Sequence, residues 1–312
     1  MFNTFYKTYF AIPSFSNFGI SGKAVNRLLS LSLKRVLDLN TPRLLKKTAL
    51  EAGYGLNTEK RDKEFVVTLT SFPARINDIW ISIETILRQS FKPDKIILWL
   101  AEEQFPDKKL PDSLTRLQDR GLSIEFCEDL RSHKKYYYSM LRYPDANIIT
   151  IDDDLYYPSD LLRNLVDLHQ KYPGHIATNR AHKFTFTGEH ISPYRKWVHN
   201  VTDIEPSHLL VPTGGAGTLY PPNSLSKEVF DKETFKSICF YADDLWLKIA
   251  ALRKGTLVVT NKTYNKDFVS VGKTQRQKLV SGNVISGGND AQLKNILKYY
   301  DINLKEEIHE LT

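Results

Sequence analysis

Apolar residues along this chain fall into short runs separated by segments of helical period, and that alternation predicts most of the fold. Phe65-Val66-Val67-Thr68-Leu69-Thr70, Lys95-Ile96-Ile97-Leu98-Trp99-Leu100, Ser123 to Cys127 and Asn147-Ile148-Ile149-Thr150-Ile151 read as buried strands. Between them, Asn77 to Gln89 puts Ile79, Ile83, Ile86 and Leu87 on one helical side, Asp112 to Arg120 forms a helix stopped by Gly121, and Lys134 to Arg142 forms a third. Ser159 to Lys171 repeats the pattern with Leu161, Leu162, Leu165 and Leu168 inward. Strands and helices alternating at this spacing predict an α/β fold, a three-layer, Rossmann-like sandwich on a parallel sheet. Residues 176–212, polar and aromatic with weak periodicity, break the rhythm and suit either an irregular binding surface or a β-ribbon on the sheet.

Residues 1–60 are set apart. Aromatics among polar residues (Phe5, Tyr6, Tyr9, Phe10) lead into a helical pattern from about Ala24 to Leu39, with Leu28, Leu29, Val36 and Leu37 on an apolar side. This segment holds nine Lys or Arg against three Asp or Glu, which accounts for nearly all of the formal charge of +7. The division is therefore a basic, amphipathic, mainly helical extension over 1–60 and a main domain over 61–312. The extension suits an anionic membrane surface, where each nearby cation contributes roughly 1 kcal/mol, and it equally suits an appendage packed on the domain or a subunit interface. The main domain is close to charge-balanced and lacks the basic stripe of a nucleic-acid enzyme.

Length and 41% hydrophobic content allow one sizeable core plus an appendage. Two distant cysteines, Cys127 and Cys239, make no disulfide framework and fit a reducing compartment. No apolar run reaches roughly 18 residues, and Lys7 and Pro13 interrupt any signal-peptide core. The expectation is a cytoplasmic protein, peripheral at most on the inner face of the membrane.

The fourth strand runs straight into Asp152-Asp153-Asp154. Side-chain alternation would send Asp152 and Asp154 to one side and Asp153 to the other, at the carboxyl end of a sheet, where open α/β folds bind ligands. Two neighbouring carboxylates need a proton or a cation between them. A hard divalent ion with open positions for substrate phosphate is the usual solution, so Asp152 and Asp154 are candidate ligands for Mn2+ or Mg2+. The same triplet also suits a turn or helix start. Further on, Gly214, Gly215 and Gly217 let the backbone approach a ligand closely, in a pattern that is neither a P-loop nor a dinucleotide fingerprint. Asp243 and Asp244 then open an apolar helix whose dipole favours their ionised form, leaving one to accept a proton; an acidic helix cap is the other reading, with Asp243 as that cap while Asp244 does the chemistry.

Strand, turn with Arg75, acidic triplet, glycine loop, acidic helix start: over residues 65–250 this order resembles the nucleotide-sugar-dependent glycosyltransferases of the GT-A fold, particularly bacterial family 2-like and exostosin-like enzymes, with the triplet as their DXD motif and Asp243-Asp244 in place of their xED motif. The resemblance implies that Thr70, Ser71, Phe72 and Arg75 hold the donor's base and ribose, and that Gly214 and Gly215 lie beside the donor sugar. It also implies that Asp152 and Asp153 face the donor and that Asp244, or Asp243, is the catalytic base. Lys135 is a further candidate for the diphosphate, although such a lysine also simply solvates a helix face. The relatives' C-terminal histidine ligand is missing between Asp244 and His309; Asn289 or Asp290 stands nearby in sequence, as do Lys273 and Arg276 in a polar, glycine-containing loop.

The implied activity is transfer of a sugar from a nucleotide-sugar, a UDP-sugar first, to a hydroxyl of a glycan or lipid-linked acceptor in bacterial surface polysaccharide (capsule) synthesis. Inversion is expected, although exostosin-like relatives retain configuration. A metal-dependent nucleotidyltransferase and a non-catalytic binding or scaffold protein are the alternatives.

Overall fold

The computed structural model describes residues 2–11, 19–49, 53–202, 204–264, 266–272 and 288–311. Two helices come first, α1 (Phe2–Ala11) and α2 (Gly19–Lys47). The domain then alternates as the hydrophobic pattern predicts, through β1 (Phe65–Thr70), α3 (Trp80–Leu87), β2 (Lys95–Ala101), α4 (Asp112–Thr115), β3 (Leu122–Cys127), α5 (Lys134–Arg142), β4 (Asn147–Thr150) and α6 (Leu161–Lys171). The second half is mixed. Short strands β5 (Ile176–Thr178), β6 (Ala181–Lys183), β7 (Phe186–Thr187), β8 (His190–Ile191), β9 (Val198–Val201), β10 (Leu210–Pro212) and β11 (Thr218–Tyr220) precede α7 (Lys232–Ile238), α8 (Asp243–Arg253), β12 (Val258–Thr260), α9 (Gly288–Tyr299) and α10 (Leu304–Glu310).

The main sheet has the order β12-β5-β11-β4-β1-β2-β3. It is parallel except at β11, which pairs antiparallel with both β4 and β5. The irregular stretch is largely the ribbon alternative: β10, β6 and β9 form a small antiparallel sheet, and β7 and β8 a hairpin. Period-two alternation divides the core in two. Val67, Leu69, Ile96, Leu98, Ile149 and Leu219 meet α3 and α6 on one face, while Val66, Ile97, Trp99 and Ile148 meet Tyr138 and Met140 of α5 on the other. This is the three-layer sandwich expected from the sequence. Two helices are shorter than their apolar pattern suggests: α3 begins only at Trp80, after turns anchored on Arg75, and α4 gives way to a 3-10 turn that Gly121 closes at φ 107°.

The extension packs on the domain. Tyr6, Leu37 and Leu45 join the main core. The anticipated apolar side of α2 splits, because Leu37 faces inward while Leu28, Leu29 and Val36 face out. No helix among the described residues is long and apolar enough to cross a membrane.

One core residue goes against its surroundings. Lys248 of α8 is fully buried, and its Nζ has no hydrogen-bond partner, so burial pushes its ammonium down to about 7. A lysine pKa depressed below its unfolded value of 10.5 costs stability most below about pH 7, and the cost fades as pH rises toward 10.5. Lys248→Met should therefore raise the melting temperature at neutral pH by roughly 5 °C, with the gain shrinking at alkaline pH. Thermal unfolding followed across pH tests this.

Candidate functional site

The carboxyl ends of β1 and β4, the start of β11 and the N-termini of α5 and α8 meet at one edge of the sheet. Thr68 of β1 sets part of this up by donating its hydroxyl to the Lys135 carbonyl at 2.7 Å, which fixes the first turn of α5 against the strand. Lys135 Nζ then lies 2.8 Å from Asp152 Oδ1 and 3.1 Å from Asp243 Oδ2. The strand-end triplet and the acidic helix start, far apart in sequence, thus share one ammonium group.

The three aspartates do not follow strand alternation. β4 ends at Thr150, and the chain turns through the triplet, so each carboxylate takes its own direction. Asp152 goes to Lys135. Asp153 accepts from Ser71 Oγ and from Arg75 Nη1 at 2.5 Å, and Asp154 pairs with Arg75 Nη2 at 3.1 Å. The guanidinium, set over the Phe72 ring at 5.2 Å, is therefore committed to the triplet. Thr70 likewise gives its hydroxyl to the Trp99 carbonyl at 2.8 Å. Of the turn proposed for the donor's base, Ser71 and Arg75 shape the acidic turn and Thr70 ties into the sheet.

Neither acidic residue of α8 caps it. The N-cap is Ala242, which makes no side-chain cap bond, while Asp243 is buried and Asp244 half-buried. Asp244 Oδ1 accepts the Gly214 N–H at 3.0 Å. The two acids are pushed in opposite directions. Burial raises Asp243, but Lys135, His133 and a Ser132 hydrogen bond outweigh it and hold the carboxyl below its usual range. Burial and the adjacent Asp243 charge lift Asp244 to about 7 against the pull of Lys135. Burial also acts to lower the Lys135 ammonium, yet Asp152, Asp243 and Asp244 together raise it well above its ordinary value. Two carboxyls with separated affinities are the usual foundation of acid–base chemistry.

The glycines matter for space. A Cβ on Gly215 would stand 2.6 Å from Asp152 Oδ2, and one on Gly214 would stand 2.8 Å from Asp244 Oδ1 and 3.3 Å from Lys135 Nζ. Gly215→Ala should displace Asp152 and cut turnover by roughly tenfold or more with little change in thermal stability, a split that kinetics and calorimetry together resolve.

Sequence reasoning passed over Tyr157. Its buried hydroxyl accepts from the Asp152 N–H at 2.8 Å and lies 2.9 Å from the Gly215 carbonyl oxygen, linking the acidic turn to the glycine loop. Only its place just after the triplet hinted at this. Much of the aromatic stretch is core, since Phe184 and Trp197 are buried in edge-to-face contact. Asp290 accepts the Tyr194 N–H at 2.7 Å. Lys273 and Arg276 lie outside the described residues.

Five carboxylates gather here against two cations, and every donor is an oxygen, which suits a hard divalent ion. Among the described residues no three His, Cys, Asp or Glu side chains form a ready cage.

No family model and no curated protein sequence matches the chain. Among solved structures it is similar to a mannosyltransferase from Pyrobaculum calidifontis in complex with GDP-Man and Mn2+, at 12% identity and a TM-score of 0.48 over 90% of this chain and 78% of that one. It is also similar to S. aureus TarS 1-349, at 11% identity and a TM-score of 0.40 over 66% of this chain and 59% of that one. Likeness at this level leaves the chemistry to the residues themselves.

Proposed function

We propose that this chain is a metal-dependent glycosyltransferase that moves a sugar from a nucleotide-sugar, in the first instance a UDP-sugar, to a hydroxyl of a glycan or lipid-linked acceptor. The observation that carries the reading is the double ion pair of Lys135, which draws the Asp152 turn and the Asp243-Asp244 helix start into one site. Mn2+ or Mg2+ held on Asp152 and Asp154, once these exchange part of their pairing with Lys135 and Arg75 for the ion, would neutralise charge on the departing diphosphate.

The remaining roles belong to the protein's own groups. Ser71 and Arg75 fix the acidic turn, and Tyr157 fixes it to the glycine loop. Without side chains, Gly214 and Gly215 let the loop backbone lie directly against Asp244 and Asp152, and the donor sugar is placed beside them. Asp244, titrating near 7, takes the proton of the acceptor hydroxyl as that oxygen attacks the anomeric carbon. Asp243 stays ionised and keeps Lys135 in place. Attack opposite the departing nucleoside diphosphate inverts the anomeric centre, which NMR of the product tests. The basic extension supports peripheral work at an anionic membrane, in assembly of a surface polysaccharide.

The test is a panel of nucleotide sugars incubated with Mn2+. Release of nucleoside diphosphate, abolished by EDTA and rising with pH through about 7 as Asp244 ionises, is expected. Release of pyrophosphate would instead identify nucleotidyl transfer. If no sugar nucleotide is turned over or stabilises the fold, the reading fails.

A further inference from the structure

The outward side of α2 is as apolar as its inward side. Facing the domain, Leu37, Thr41 and Leu45 are buried. On the opposite side, at helical spacing, Val25, Leu28, Leu29, Val36 and Leu39 are each 38–66% exposed. A solvated helix normally carries charge there. The same side continues into exposed Arg43 and Lys47, with Arg35 at its border, and the one acidic residue of α2, Asp38, is turned inward. An apolar stripe with a cationic end and no carboxylate complements an anionic interface, where leucines enter the acyl boundary and cations meet headgroups.

The inward side is wired to the candidate site through residues 266–272 and through Tyr156. Asp38 accepts from the Tyr156 hydroxyl at 2.9 Å and from the Gly272 N–H at 2.8 Å, and Lys34 donates to the Ser270 carbonyl. From α1, the Tyr6 hydroxyl donates to the Tyr156 carbonyl at 2.6 Å and accepts the Val269 N–H at 2.9 Å. That strap is itself bonded to the acidic turn: the Val271 N–H donates to the Asp154 carbonyl at 2.7 Å, and the Tyr156 N–H to the Val269 carbonyl at 3.0 Å. The N-terminal helices thus reach the acidic turn both directly, at Tyr156, and through the strap bonded to Asp154.

We propose that the outward face of α2 docks on an anionic lipid surface, and that docking, by fixing α2, holds the strap against the Asp152–Asp154 turn and so strengthens donor binding. The docking stands on α2 alone; its effect on the donor rests on the function proposed above.

The full chain is sedimented with vesicles of phosphatidylcholine alone or of equal parts phosphatidylcholine and phosphatidylglycerol. Binding to the mixed vesicles only, weakened by salt, is expected. Leu28→Gln with Leu39→Gln should reduce it by roughly tenfold or more at an unchanged unfolding midpoint. Hydrogen exchange over residues 266–272 should slow on the vesicles, and sugar-nucleotide affinity should tighten by about fivefold. Tyr6→Phe, which keeps the ring and removes the bridging hydroxyl, should bind vesicles normally but lose both responses; Asp38→Ala should do the same. Equal binding to neutral vesicles overturns the proposal, as does a leucine pair that changes oligomeric mass instead of vesicle binding, the sign of a second copy on this face. Exchange that ignores vesicles overturns the coupling. Docking with slowed exchange but no donor turnover supports this proposal and overturns glycosyl transfer.

Discussion

Asp244→Asn is expected to lower kcat by about a thousandfold while making the protein more stable at mildly alkaline pH. The amide keeps the shape and an oxygen for the Gly214 N–H, so the backbone has no reason to move. The base is lost, because an amide cannot take a proton from a hydroxyl at neutral pH. The stability gain follows from the sign of the shift. The folded carboxyl titrates at about 7 and the unfolded one at 3.8, so the folded state binds the proton more tightly and is penalised as pH rises between those values. The penalty is absent below about pH 4 and complete above about pH 7, where the substitution removes it. Steady-state kinetics alongside thermal unfolding over that range would show activity and stability moving in opposite directions. A carboxylate present only for structure would lose stability when replaced.

Arg75→Met should have the opposite character. Its guanidinium answers both Asp153 and Asp154, and these groups are all less than 15% exposed. Removing the cation strands two carboxylates, and breaking a buried pair of this kind costs about 3–5 kcal/mol, or roughly 5–8 °C in melting temperature for a chain of this size. Turnover should vanish with the geometry of the turn. Adding Asp153→Asn should recover part of the lost stability, since the Ser71 hydroxyl can still bond the amide oxygen; denaturant unfolding of the single and double variants measures the coupling. Unchanged stability in the single variant would release Arg75 from the structural role and return it to the ligand.

The contrast marks how far the sequence reached. β1 to β4 and the start of α8 were legible because buried strands and an apolar helix announce themselves by period, and the acidic triplet was correctly set at a strand's carboxyl end. Alternation failed beyond Thr150, because period two holds only while the backbone stays extended. Lys135 was visible as a cation but not as a bridge, since its second partner, Asp243, arrives through tertiary folding. Arg75 is assigned to the donor by resemblance, and its pairing with Asp153 and Asp154 becomes visible only once the turn after β1 folds against the triplet. The reversed strand β11 was missed: Thr218-Leu219-Tyr220 is too short, beside glycines, to declare a direction.

That reversal has a consequence for how the protein goes wrong. Because β11 runs against its neighbours, the chain enters it at the working edge, directly from Gly217, and only its pairing holds Leu219 toward α6 while Tyr220 faces the other layer. A slip of one position would exchange those two side chains and pull the glycine pair off Asp152 and Asp244. A misregistered molecule would thus be frustrated in its interior and inert in its chemistry through a single error, so that folding fidelity and competence for catalysis are inspected at the same three residues.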